Sequence, residues 1–169
     1  MLVRAEESLP PWLAQTLTDI GAISDHLCAE LLNLAGVVEK RPALLQRAAL
    51  RESLVALYLS VSLAESRLYC EPEEGRADEG QDSASFFARE QLALTDPEYT
   101  RLRLHKLVQI IAQFRGRRDV FARIRAYPEL WYEMGFEIVQ ACETLTAAVQ
   151  ILRNIQRLTQ DAEMLVGLP

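Results

Sequence analysis

The sequence predicts an all-α fold: an elongated antiparallel four-helix bundle, formed as a single domain over residues 1–169. Three features carry this expectation. Three long segments place apolar residues at alternating spacings of four and three, the signature of a bundle or coiled-coil seam. No run reads as a strand, and no internal repeat recurs at a solenoid period. The joints between segments are one tight break at "KRP" (40–42) and one long acidic crossover after residue 69.

The first helix is expected over about 10–39. Ser8 is placed to cap it, and the prolines of "SLPPW" suit a first turn, where a missing N–H loses no intrahelical partner. Its seam is Leu13, Leu17, Ile20, Ser24, Leu27, Leu31, Leu34 and Val38, with Ser24 its one polar member. Pro42 then biases Arg41 away from the α region. A second helix over about 42–69 repeats the seam through Leu50, Leu54, Leu57, Val61, Ala64 and Leu68. Val55, Leu59 and Leu63 widen that stripe, so this helix is expected to be covered on more than one side.

"CEPEEGRADEGQDS" (70–83) combines two Gly, a Pro and six acids with no large aliphatic residue. It buries too little apolar surface to offset its ordering entropy, which predicts a mobile loop. A short helix over 84–94 follows, tethered by Phe86 and Phe87. "TDPEY" restarts a long helix, with Thr95 or Asp96 as cap and Pro97 in the first turn. Its apolar face is Leu104, Leu107, Val108, Ile111 and Phe114. At 100° per residue, Val120, Phe121 and Ile124 fall off that face, which predicts a kink or break at Gly116. The last helix is expected from about 127 to 165, with a seam of Trp131, Met134, Ile138, Ala141, Leu145, Ala148, Leu152 and Ile155.

The 169 residues carry a formal charge of −6, are 50% hydrophobic and 25% charged, and so have the composition of a soluble globular domain. "MLVRAEESLPPW" lacks the apolar core of a signal peptide. The longest uncharged apolar stretch, 53–64, is too short to span a bilayer, which takes roughly 20 residues. Cys28, Cys70 and Cys142 include no CxxC pair, and their odd number opposes a complete disulfide framework. Cys28 and Cys142 read as small buried hydrophobes. Together these features predict a cytoplasmic protein with no membrane association.

Catalytic and metal motifs are missing. No Glu-x-x-His pair precedes His26 or His105, and no GxSxG, Walker or GxGxxG sequence occurs. Arg101 and His105 are too close for the Arg-x4–6-His spacing of helical nucleases. Cys142 and His105 could meet across helices, yet nothing in the sequence selects that pair. Glu129, Glu133 and Glu137 form an acidic row near a helix start, where the macrodipole favours acids without any metal. The expectation is a protein that is not an enzyme and has no catalytic, cofactor-binding or metal site.

One segment stands out by charge. Residues 101–126 hold eight Lys or Arg and one acid, while the rest of the chain has 10 basic and 23 acidic residues. Within it Arg115, Arg117, Arg118, Arg123 and Arg125 form a corner beside Gly116, a candidate surface for a protein partner or for phosphate. Internal pairing with the acidic surface of the last helix and with the 70–82 loop is the simpler account of the same arginines. Tyr132, Phe136 and Val139 form a second apolar stripe on the last helix. It is either buried on a neighbour or an exposed partner surface.

The reading is a non-catalytic interaction protein (a scaffold, adaptor or complex subunit) that binds a protein partner and self-associates as a homodimer. Two alternatives stand beside it. One is a small nucleic-acid-binding subunit using the Arg115–Arg125 corner. The other is a helical sensor holding an apolar ligand near Trp131 and Met134.

Overall fold

The computed structural model describes residues 10–69, 83–114 and 131–166, with side chains described except at 68–69, 83, 131–134 and 162–166. The fold is all-helical, with no strand among the described residues. Among the described residues it has five α-helices, four long and one short: α1 (Pro11–Lys40), α2 (Ala48–Tyr69), α3 (Ser83–Ala93), α4 (Pro97–Phe114) and α5 (Trp131–Val166). At about 1.5 Å per residue, α5 alone is about 54 Å long.

α1 starts without a side-chain cap; the Leu13 and Ala14 N–H groups donate to Pro10 O at 3.0 and 3.1 Å. Ser8, the expected cap, lies outside the described residues. The seam then does what its spacing requires. Leu13, Ile20, Ser24, Leu27, Leu31, Leu34 and Val38 are buried, and Leu17 is half-buried against the same core.

The second helix begins later than its pattern implies. Pro42–Gln46 is a 3₁₀ turn, and Arg47 is extended (φ −80°, ψ 119°) before α2 starts. Leu44 and Leu45 are buried in this turn, and Arg51 Nη1 donates to Leu45 O at 2.8 Å, satisfying a carbonyl the tight turn leaves open. Along α2, Leu50, Leu54, Leu57, Val61 and Ala64 are buried as the seam requires. Val55 is fully buried, but Leu59 and Leu63 remain 44% and 42% exposed. The widened stripe is therefore covered on the Val55 side and open on the other.

At the α3–α4 corner, Asp96 Oδ1 accepts from the Glu98 N–H at 3.0 Å, so Asp96 caps α4 and Pro97 fills the first helical position. Thr100, fully buried, donates to Leu94 O at 2.8 Å and so locks the corner from inside. Leu104, Leu107, Ile111 and Phe114 are buried along α4, as are Ile138, Ala141, Leu145, Ala148, Leu152 and Ile155 along α5. Each fully buried Leu or Ile contributes about 1.5–3 kcal/mol of apolar burial. The expected 70–82 loop and the kink at Gly116 lie outside the described residues.

Side-chain bonds fix the helix directions. Arg67 reaches Gln140 while Ser53 meets Asn154, so α2 and α5 run antiparallel. Trp12 lies against Gly135 while Gln156 bonds to Glu30, so α1 and α5 run parallel. α1 packs mainly on α4 and α5, and α2 mainly on α5. The sequence neighbours α1 and α2 make little direct contact, although the turn between them is short.

Candidate functional site

The most elaborate polar arrangement joins α3 to α4 and α2. Arg103, in the middle of the basic run, is turned inward with its side chain 17% exposed, against Glu90 at 6%. The guanidinium grips the carboxylate with two parallel bonds, Nε to Oε1 at 2.7 Å and Nη2 to Oε2 at 2.9 Å. Tyr99 closes the knot. Its hydroxyl donates to the same carboxylate, 2.8 Å from Oε2, and accepts from Arg103 Nη2 at 2.6 Å. Above the guanidinium lies the Tyr58 ring of α2, its centroid 4.2 Å from Cζ, with the Tyr99 ring at 5.3 Å. Phe86 of α3 stacks on Tyr58 at 5.9 Å between centroids.

The electrostatics follow from this packing. Burial works against the Arg103 charge, but the hydrogen bonds and attraction of Glu90, with smaller help from Tyr58 and Tyr99, raise its pKa above the ordinary arginine value. Burial, then the hydrogen bond to Glu90, pushes the Tyr99 hydroxyl upward as well. Tyr99 therefore stays a proton donor to the carboxylate.

Arg101 is also paired. It bonds to Glu98 one turn earlier, Nη2 to Oε1 at 2.6 Å, in the open. That hydrogen bond and charge hold the Glu98 carboxyl below its usual range. Both arginines thus turn to acids close by in sequence. The proposed corner residues Arg115, Arg117, Arg118, Arg123 and Arg125 lie outside the described residues.

The second apolar stripe is only partly described. Tyr132 lies on α5 with its side chain outside the description, Phe136 is 61% exposed, and Val139 is half-buried. Phe136, Leu59 and Leu63 all project away from the buried rows of α2 and α5, the antiparallel pair with the most extensive packing.

Between α1 and α5 lies a groove of about 380 Å³, lined by Ala22, Ile23, His26, Thr146, Val149, Gln150 and Arg153. It is open to solvent along its length. Trp131 and Met134, where the alternative reading places an apolar ligand, have no described side chains. Cys28 and Cys142 are half-buried thiols, less enclosed than expected; Cys28 Sγ donates weakly to Val108 O at 3.6 Å. His105 and Cys142 sit on α4 and α5, which make little contact. No group of three or more His, Cys, Asp or Glu among the described residues could hold a metal ion. Of the acidic row, Glu137 lies 3.9 Å from Arg67, and Glu129 and the Glu133 side chain lie outside the description. No described helix is long and apolar enough to cross a membrane.

No family model, no curated protein and no solved structure matches this chain.

Nothing in the sequence flagged Glu90. It sits in a short helix of mixed polarity, and its partner lies beyond a turn. The usable signal was the pattern Phe86, Glu90, Leu94: one residue per turn on one face of a helix, with a carboxylate at its centre.

Proposed function

We propose that this chain is a non-catalytic helical-bundle interaction protein, a small cytoplasmic scaffold, adaptor or complex subunit that self-associates as a homodimer. In this reading its four long helices close as one bundle of mixed direction, α2 antiparallel and α1 parallel to α5, and the acidic 70–82 segment and α3 form the crossover.

One observation supports the reading above the others: large apolar side chains stand exposed on the outward side of the best-packed helix pair. Leu59 and Leu63 follow each other by one turn on α2, and Phe136 lies on α5. Large apolar side chains left exposed on neighbouring helices supply area for a partner surface, and Phe and Leu do so without desolvating charge.

Sedimentation velocity across a concentration series tests it. The expected result is a dimer at micromolar concentration that becomes a monomer when Leu63→Glu and Phe136→Glu are combined. A monomer at every concentration overturns self-association. The nucleic-acid alternative gains nothing from the described residues, because Arg101 and Arg103 are already paired with acids of the same chain. The apolar-ligand alternative gains nothing either, since the groove between α1 and α5 is open, not enclosed.

A further inference from the structure

The knot around Arg103 is built from unequal parts. The donors and the aromatic faces belong to long helices: Arg103 and Tyr99 to α4, which is anchored by Leu104, Leu107 and Ile111, and Tyr58 to α2, which is anchored by Leu54, Leu57 and Val61. The acceptor comes from α3, an 11-residue helix. A helix that short is marginal by itself in water, where roughly 12–15 residues are needed even for good formers. α3 is held by the Phe86 stack, by Phe87 half-buried on the core, by Glu90, and by Leu94 just beyond its end. Such an element belongs to the low end of local stability, and it opens before the helices beneath it.

We propose that the Arg103–Tyr99–Tyr58 cradle is a carboxylate-binding site for an acidic helical peptide, and that α3 occupies it in cis as a built-in competitor. A forked guanidinium, a phenolic O–H aimed at the same two oxygens and a flat aromatic lid make up a recognition set for a carboxylate. Glu90 shows the ligand chemistry directly. Phe86, one turn earlier, shows the neighbouring requirement, an aromatic ring that stacks on Tyr58. The partner segment is therefore a helix carrying an aromatic residue and, four positions later, Glu, with an aliphatic residue one turn beyond. When α3 lifts, the cradle keeps its donors and gains an exposed Tyr58 face. A partner then replaces Glu90 with no loss of bonds.

This inference rests on the reading of the chain as an interaction protein but not on self-association, since it uses a different surface. A chain that stays monomeric in sedimentation leaves it untouched.

The test uses a fluorescein-labelled peptide with the sequence of residues 83–94, titrated by fluorescence anisotropy against the full-length chain. With Glu90→Ala the cradle is vacant in cis, and saturable binding is expected. The wild-type chain should bind about tenfold or more weakly, because only its open fraction competes for the peptide. Adding Arg103→Gln to the Glu90→Ala chain should abolish binding, and a peptide carrying Gln in place of its central Glu should bind neither chain. Phe86→Ala loosens α3 while leaving every donor in place. It should also strengthen binding over wild type, and it decides the matter if the Glu90→Ala chain does not fold. Equal binding by wild type and variants, no binding by any of them, or binding indifferent to Arg103→Gln overturns the proposal.

Discussion

The indole of Trp12 lies across the backbone of Gly135, so closely that a Cβ on Gly135 would sit 2.7 Å from Cη2 of the ring. The contact ties the first turn of α1 to the first turns of α5, and it depends on a residue with no side chain. Gly inside a helix normally costs about 0.5–1 kcal/mol relative to Ala. We expect Gly135→Ala to return none of that gain, because the added methyl displaces the half-exposed Trp12 ring into water. In a Trp131→Phe background, Trp12 emission should shift to longer wavelength without a rise in the urea midpoint. A midpoint increase with unchanged emission would show that the ring does not rest there.

Removing one member of the Glu90–Arg103 pair should be among the most damaging single changes in the chain. Each leaves the other charge buried without its partner, a loss of about 3–5 kcal/mol. Arg103→Lys should also be costly, since an ammonium cannot make two parallel bonds or lie flat against Tyr58. The pair as a whole is worth far less than either deletion implies. Glu90→Leu combined with Arg103→Met should recover most of the loss, because well-packed apolar side chains replace a buried ion pair at little cost. Urea denaturation of the two single variants and the double variant gives the coupling directly.

These two contacts also show where the sequence was readable and where it was not. The seam of α1 could be read in advance because a period of 3.6 leaves one solution for which side faces inward. The same logic cannot say how many neighbours a helix has. Leu59 and Leu63 extend the apolar stripe of α2 in sequence, but among the described residues no helix covers them. Arg101 and Arg103 were counted into a basic run because linear charge density cannot see a turn. The corner at Thr95–Asp96 folds α3 back and brings Glu90 to Arg103. Gly135 carried no signal at all, since its role is set by a ring more than a hundred residues earlier.

The thiol of Cys142 should respond to pH in a defined direction. Burial, and then the nearby charges of Asp19 and Glu143, push its pKa above the ordinary thiol value. The folded chain therefore holds this proton longer than the unfolded chain does. As pH rises through the thiol range the unfolded state binds fewer protons, and stability falls. Urea midpoints between about pH 8 and pH 10 should decline more steeply for the wild-type chain than for Cys142→Ala. In a chain with Cys28 and Cys70 changed to Ser, iodoacetamide should also modify Cys142 more slowly when folded than in urea. Identical midpoint slopes for the two proteins would place the thiol in an unperturbed setting.

Ser24 interrupts an otherwise apolar seam. Its side chain is 1% exposed, and its hydroxyl has no hydrogen-bond partner among the described residues. A buried hydroxyl in that state costs its desolvation and gains nothing back, so Ser24→Ala should stabilise the fold by about 1 kcal/mol. A single polar residue in a seam can also work against misaligned pairings, at a cost in stability. The two roles separate in one experiment. If Ser24 is only a cost, Ser24→Ala raises the urea midpoint and leaves one set of amide resonances and an unchanged mass in solution. If it also sets helix alignment, the midpoint still rises, but resonances of residues along α1, α4 and α5 double or broaden, because the smoother seam admits a second register.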